Sequence, residues 1–167
     1  TYNEDGTVNV MNAAWGTMQE RDTVVLNLSE GHKTVENLKE RGAFTVGIAD
    51  AAHMVEADYF GLVSGHQVPD KLGKAGLTAT KAEMVDAPVI NELPLCMECE
   101  FVAYQDGPYG CGVIGKVVSV TADERVLTDG KVDMTKVDAI AFDPYTYGYY
   151  KVTERVGNAF QDGAKLK

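Results

Sequence analysis

The chain has 167 residues, a length typical of one domain, and 45% of them are hydrophobic, which excludes disorder as the main state. The formal net charge is −10 and the densest basic group is Lys71, Lys74 and Lys81, so no nucleic-acid partner is expected. No apolar run reaches the ~18 residues that span a bilayer. The sequence therefore indicates a cytoplasmic protein without a membrane partner.

The first half of the chain alternates short predicted strands with short predicted helices. The Asp5-Gly6 pair predicts a hairpin turn. Since the arm before this turn is short and the sequence starts without Met, we expect the start of a first strand to be missing. Apolar residues alternate in two later stretches and recur at helical spacing in two others. The resulting predictions are strands at 24–29 and 43–49, a helix over 31–42 that ends at Gly42, and a helix from Asp50 to about Gly61.

The second half is predicted to contain a long loop and two long strands. The stretch from Leu62 to Pro94 is rich in Gly and Pro, and such a connection often carries function. Gly112 and Gly115 predict a bulge or a close backbone approach within the second long strand. The predicted elements are a short helix around 70–75, strands at 95–104 and 111–121, and a helical patch at 135–139, followed by an aromatic stretch from Phe142 to Tyr150.

The cysteines are predicted to be structural thiols. Cys96 and Cys99 form a CxxC inside a predicted strand, where successive side chains point to opposite faces. Residues three apart then project from opposite sides, which disfavours a shared metal ion or a disulfide. Cys111 makes the cysteine count odd, which is atypical of a disulfide framework. Redox or metal use is the alternative.

Common catalytic signatures are absent from the sequence, including GxSxG, HExxH, the phosphate-loop lysine motif and GxGxxG. A three-histidine zinc site would need all the histidines, which are His32, His53 and His66. His53 and His66 lie in polar settings typical of surface residues. We therefore predict no metal site and name no catalytic acid or base.

A segment of small residues at 9–17, NVMNAAWGT, is suited to holding a flat ring. Its small side chains bring the backbone close to whatever lies beside it, next to Asn12 and Trp15, the one tryptophan of the sequence.

A second segment at 26–34, LNLSEGHKT, predicts an anion site. Hydroxyl and cationic side chains stand where a predicted strand passes into a helix. Unpaired backbone N–H groups and the positive end of the helix dipole favour an anion there, most simply a phosphate. In the alternative interpretation, Ser29 and Thr34 cap the helix and Lys33 is solvated.

The run NVMNAAWGTMQERDTVVLNLSEGHKTVENLKERGAFTVGIAD at 9–50 resembles the flavin reductase-like family, the FMN-binding split barrels that include flavoredoxins. Segments at 56–65, 76–100 and 113–127 follow the family's order and spacing. The resemblance implies a mainly β fold, a six-stranded Greek-key split β-barrel with a few short helices. It further implies one domain over 1–167 and a homodimer that binds FMN near the subunit interface.

The resemblance also implies which residues contact FMN. The first group lines the isoalloxazine, the second runs along the ribityl chain and the third holds the phosphate. The groups are Met11, Asn12, Ala13, Ala14 and Trp15; Asn27, Leu28 and Ser29; and His32, Lys33 and Thr34. Many family members have Thr where this chain has Asn12. Many also have Asn where it has Gly47, which removes a polar contact near the flavin.

The implied function is an oxidoreductase in which NADH or NADPH gives a hydride to FMN. Electrons then pass to free flavin, another small molecule or a protein acceptor. Because the cofactor performs the bond making, the protein needs correct ring placement rather than an acid-base set. The alternatives are a flavoredoxin-type electron carrier without NAD(P)H turnover and a split-barrel binding module that has lost FMN.

Aromatic and acidic side chains outside these groups complete the expectations. Tyr149 or Tyr150 could cover the flavin or the dimer interface, and packing in the core or the interface is the alternative. Asp58 and Phe60 are expected to approach the ring from the partner subunit, and a plain amphipathic helix is the alternative for both.

Overall fold

A computed structural model describes residues 1–107 and 112–167 of the chain. The strands are β1 (Gly16–Glu20), β2 (Thr23–Asn27), β3 (Ala43–Gly47), β4 (Ala79–Lys81), β5 (Pro88–Ile90), β6 (Leu95–Gln105), β7 (Gly112–Ala122), β8 (Leu127–Thr128), β9 (Lys131–Val132), β10 (Ile140–Asp143) and β11 (Gly148–Lys151). The helices are α1 (Lys33–Arg41), α2 (Met54–Leu62), α3 (Lys71–Lys74) and α4 (Met134–Val137), with 3₁₀ turns at Ala51–His53, Glu124–Val126 and Asp162–Leu166. None of the helices in these ranges is long and apolar enough to cross a membrane.

The main sheet is antiparallel throughout, in the order β1-β2-β7-β6-β3. Its central strands β6 and β7 are the long strands that alternation predicted. The other described strands form the separate hairpins β4–β5, β8–β9 and β10–β11. The mainly β fold with short helices is thereby confirmed. This sheet has five strands among the described residues, and the six-stranded Greek-key count stays a prediction.

Helix α1 packs on the sheet and closes the main core. Val35 and Leu38 are buried, as predicted, and Gly42 ends the helix in the left-handed conformation at φ 68°. Buried side chains of the sheet meet this apolar face of the helix. The core consists of Val24, Leu26, Leu28, Val35, Leu38, Phe44, Cys99 and Val113. Burial of this cluster fixes where α1 begins relative to the end of β2.

Gly115 confirms the prediction of a close approach within the second long strand. A Cβ atom at this position would lie 2.3 Å from the Phe44 ring. The register between β6 and β7 also shifts between Phe101 and Ala103, opposite Gly115. The missing side chain therefore lets the Phe44 ring lie against the backbone.

Four strand regions were absent from the sequence predictions. Strand β1 lies within and beyond the small-residue segment, and hairpin β4–β5 lies inside the predicted loop. Hairpin β8–β9 lies before the predicted helical patch, and hairpin β10–β11 contains the aromatic stretch. All residues of β1 are exposed, so no alternation of burial marks it as a strand. The predicted turn at Asp5-Gly6 is present, with Gly6 at φ 82°, but its arms meet in a single bridge between Tyr2 and Val8.

Cys96 and Cys99 are buried free thiols, and burial raises their pKa values to about 11 and about 12. High pKa values keep both sulfurs protonated and unreactive at neutral pH, which supports a structural role. Cys111 lies outside the described residues.

Lys71, taken from the sequence as part of the densest basic group, is buried. Its ammonium donates hydrogen bonds to the carbonyl oxygens of Phe60 and Val63 at 3.2 and 2.9 Å. These carbonyls lie at the end of α2, where a cation complements the helix dipole. Burial lowers the pKa of Lys71. The side chain therefore fixes the end of α2 instead of adding positive charge to the surface.

Candidate ligand-binding site

A cavity of about 600 Å³ lies between the main sheet, α2 and the β10–β11 hairpin. Its volume is within the range of small-molecule and cofactor sites. The structure brings the first predicted group to its wall, except for Trp15, and adds one residue from each of the other two groups. These wall residues are Met11, Asn12, Ala13, Ala14, Leu28 and Thr34.

One end of the cavity reaches the start of α1. Thr34 is the second residue of this helix and also lines the cavity. The backbone N–H groups of Lys33 and Thr34 have no acceptor within the part of the chain that the structure describes. Unpaired N–H groups at a helix start are suited to bind an anion. The predicted anion site therefore adjoins the cavity.

Helix capping does not occupy the predicted anion-binding side chains. His32 is the cap residue and makes no capping bond through its side chain. The Thr34 hydroxyl accepts a hydrogen bond from the Asn9 amide at 2.8 Å instead. Ser29 and His32 are exposed, as is Asn27. The alternative in which Ser29 and Thr34 cap α1 is wrong.

Lys33 is held by an acidic neighbour on its own helix. Its ammonium forms an ion pair with Glu36, and Glu36 also lies 3.9 Å from the Nε2 atom of His66. The hydrogen bond from Lys33 keeps the pKa of Glu36 below its usual value. Because Lys33 is half-buried and next to the unpaired N–H groups, it can bind an anion there once it leaves Glu36.

The other end of the cavity is aromatic. The Tyr149 hydroxyl donates a hydrogen bond to Asp58 at 2.9 Å and lies 3.5 Å from the Asn12 amide nitrogen. The Phe142 ring contacts the Tyr149 ring, with centroids 5.6 Å apart, and the Trp15 ring edge-on at 6.3 Å. Burial, and then the bond to Asp58, raises the pKa of Tyr149. These contacts tie the small-residue segment, α2 and the β10–β11 hairpin together.

Several predictions about single side chains change with this geometry. Trp15 lies beside the cavity and is 57% exposed. Asp58 contacts Tyr149 of the same chain, and Phe60 is buried in the core of the same chain. Their approach to a partner's flavin stays a prediction. Tyr149 lines the cavity, which agrees with one of its two predicted roles.

His53 also lines the cavity, although its polar surroundings in the sequence predicted a surface residue. Its Nδ1 atom lies 2.7 Å from Asp50 Oδ1, and the same carboxylate accepts the His53 backbone N–H at 3.0 Å. Asp50 was predicted as a helix cap, and it caps the turn that precedes α2. The second bond, to the ring, could have been anticipated from the i,i+3 spacing of Asp50 and His53.

Gly47 lies in the cavity wall, and Leu93 fills the space beside it. A Cβ atom at position 47 would lie 2.6 Å from the Leu93 Cδ1 atom. Position 47 has no polar side chain, and the apolar side chain of Leu93, from the segment before β6, occupies the space beside it. The wall here is apolar where the family resemblance led us to look for an amide.

This fold and site define a mainly β protein with a cavity that has aromatic side chains in its wall and adjoins a helix start suited to an anion. The model of the flavin reductase like domain matches residues 1–150, and the chain belongs to this flavin-binding, split-barrel family.

Solved structures and one curated protein resemble the chain. It is 35% identical to flavoredoxin of Desulfovibrio vulgaris (Miyazaki F), with a TM-score of 0.92 over 98% of this chain and 88% of that chain. It is 28% identical to flavoredoxin from Methanosarcina acetivorans, with a TM-score of 0.90 over 99% and 89%. A protein of Aeropyrum pernix is 30% identical over 61% of this chain, a match that spans 40% of that protein's length.

Proposed function

We propose that the protein is an FMN-dependent oxidoreductase that takes a hydride from NADH or NADPH and passes electrons to free flavin, another small molecule or a protein. The continuity of the cavity from the aromatic end to the unpaired N–H groups of α1 carries this proposal. FMN carries a flat ring, a polyol chain and a phosphate in this order, so its ring would lie at the aromatic end and its phosphate at the start of α1. Family membership supports the flavin, and the donor is an inference from chemistry.

In this proposal the chain's own residues bind and orient FMN. The backbone of Met11 to Ala14 lies along the isoalloxazine, and Leu28 packs beside the ribityl chain. The N–H groups of Lys33 and Thr34 bind the phosphate, and the Lys33 ammonium adds a charge-assisted bond. His32 and Ser29, both exposed at this end, close the phosphate site from the solvent side. When bound, FMN supplies two-electron chemistry that amino-acid side chains lack.

A homodimer belongs to the same proposal. The edge strand β1 is exposed along its whole length. Met18 within the strand and Trp15 directly before it are large, exposed hydrophobic side chains. An unpaired edge with apolar side chains is suited to cover by another subunit. Since Trp15 contacts Phe142 at the aromatic end, a partner seated here would also cover the cavity mouth.

Anaerobic reduction tests the proposed activity. Purified protein loaded with FMN should be yellow, and NADH or NADPH should bleach its absorbance rapidly in a stopped-flow experiment. Protein that binds FMN and keeps its colour with both nucleotides would contradict the proposal.

The second candidate is a flavoredoxin-type electron carrier, which the 35% identity to a flavoredoxin favours. A carrier binds FMN equally well and turns over no pyridine nucleotide. Reduction by a protein donor together with no bleaching by NAD(P)H would establish this candidate. Failure to bind FMN at micromolar concentration would favour a binding module that has lost its cofactor.

A further inference from the structure

His53 and Tyr149 are the titratable side chains in the cavity wall, within residues 1–107 and 112–167. The remaining wall side chains are apolar, hydroxyl or amide groups. Tyr149 donates its phenolic hydrogen to Asp58 and has a raised pKa. His53 is the remaining titratable side chain of this wall, and an imidazole can both accept and donate a proton.

Asp50 holds the His53 ring in one orientation. As an acceptor, the carboxylate at 2.7 Å makes Nδ1 the N–H nitrogen and leaves Nε2 to exchange a proton with a ligand. Nε2 makes no hydrogen bond to any residue that the structure describes. This is the arrangement by which a carboxylate orients a histidine that transfers protons.

The position of Asp50 is itself fixed by backbone contacts. Asp50 forms a β-bridge with Ala139, and the Ala51 N–H donates to the Asp138 carbonyl at 3.0 Å. The Ile140 N–H donates to the Ala49 carbonyl at 3.1 Å on the other side. Backbone contacts to Asp138, to Ala139 and to the first residue of β10 thus fix the chain on both sides of Asp50.

The ionisable groups identified around His53 are acids. Asp50 contacts the ring, and Glu92 from the segment between β5 and β6 interacts with it electrostatically. Glu56 lies in the first turn of α2, the helix that His53 precedes. The Asp138 carboxylate nearby is occupied by Lys151 at 2.7 Å. A positive charge on the imidazole is therefore compensated where it forms.

We propose that His53 donates a proton from Nε2 to an oxygen atom of a small quinone that accepts electrons in this cavity, with Asp50 as its positioning residue. The inference rests on the proposed function, because the reductant is reduced flavin. Reduction of a quinone to its hydroquinone takes up two electrons and two protons. A hydride from reduced flavin supplies both electrons and one proton. The Nε2–H bond of the imidazolium breaks as the second O–H bond forms, and the neutral ring then regains a proton from water.

Two electron acceptors separate this role from a structural one. Protein loaded with FMN is reduced anaerobically with dithionite and mixed with benzoquinone, which needs protons, or with ferricyanide, which takes one electron and no proton. We expect His53→Gln to slow reoxidation by benzoquinone by about 100-fold, a typical contribution of a general acid, and to leave the ferricyanide rate unchanged. Equal slowing with both acceptors, or with neither, would overturn the proposal.

The pH profile and matched variants sharpen this test. Since donation requires the protonated ring, the wild-type benzoquinone rate should fall as pH rises, and the His53→Gln rate should not. Asp50→Asn keeps a capping oxygen for the turn and should also lower the rate and alter the pH profile. His66→Gln, at an exposed histidine outside the cavity wall, is the control and should match the wild type. A His53→Gln profile identical to that of the wild type contradicts the proposal.

A binding measurement gives a readout besides turnover. The ionised form of 4-nitrophenol absorbs visible light, and its oxygen resembles that of a half-reduced quinone. We expect binding to wild-type protein to lower the pKa of the probe by about one unit, because the His53 imidazolium stabilises the phenolate, and His53→Gln to abolish this change. An unchanged probe pKa in wild-type protein overturns the inference. This measurement needs no NAD(P)H, so its outcome is separate from that of the bleaching experiment.

Discussion

The two ends of the cavity are built from different kinds of contact. At the α1 end, the charged side chains pair with close neighbours, such as Lys33 with Glu36 three residues away. At the aromatic end, Tyr149 joins Asp58 and Asn12, which lie 91 and 137 residues away in the sequence. The ion pair of Lys33 is therefore local in sequence, although Asn9 also bonds Thr34 at that end, whereas the aromatic end is set by the tertiary fold. A change at the α1 end should act mainly on ligand affinity, and a change at the aromatic end on folding stability.

Loss of the Lys33 charge should produce the largest effect at the α1 end. Lys33→Met keeps the length of the side chain and removes a charge-assisted bond of about 1.5 to 3 kcal/mol to the phosphate. We expect FMN affinity to fall roughly 10- to 100-fold, measured by fluorescence titration. Lys74→Met, at an exposed lysine of α3, is the matched control. Equal affinities of Lys33→Met and wild-type protein would mean that the anion lies elsewhere.

At the aromatic end, Tyr149→Phe should destabilise the fold. The variant keeps the ring contact with Phe142 and leaves Asp58 without the hydroxyl that bonds it. A lost partner at a half-buried site costs about 1 to 2 kcal/mol, which urea unfolding detects. Tyr145→Phe, at an exposed tyrosine of the same hairpin, should leave stability unchanged. If both variants unfold alike, the link between hairpin and α2 adds nothing to stability.

A smaller effect, opposite in sign, is expected from Glu36→Gln. The substitution releases Lys33 from an ion pair with an exposed carboxylate, and such pairs contribute little to stability. FMN affinity should therefore rise by roughly 2- to 5-fold at low ionic strength, and the gain should shrink in high salt. Tighter binding that persists in high salt, or weaker binding, would show that Glu36 does not compete for Lys33.

The smallest effect, no alkylation, is expected for the two buried thiols of strand β6 in the main sheet. Because burial raises the pKa values of Cys96 and Cys99 to about 11 and 12, iodoacetamide at pH 8 should leave both unmodified in the native protein. Peptide mapping after denaturation in urea should find both alkylated. Alkylation of either in the native state would show that the sheet opens under the cavity.

The contrast between the two ends also explains how far the sequence could be interpreted. Helix α1 and its stop at Gly42 follow from apolar spacing, and the structure places both as predicted, whereas the anion site at the helix start stays a prediction. Strand β1 has no buried face, so no alternation marks it. The aromatic end depends on hydrogen bonds between distant segments, which one sequence does not specify. For the same reason His53 was assigned to the surface, although its Asp50 partner lies three residues away.

Comparison of FMN with riboflavin, which has the same ring and chain without the phosphate, tests the central claim most directly. Both ligands are titrated into apo-protein at low and high salt. If the start of α1 binds the phosphate, FMN should bind about 100-fold or more tightly than riboflavin at low salt, and the ratio should narrow as salt rises. Equal affinities for the two ligands would contradict the account.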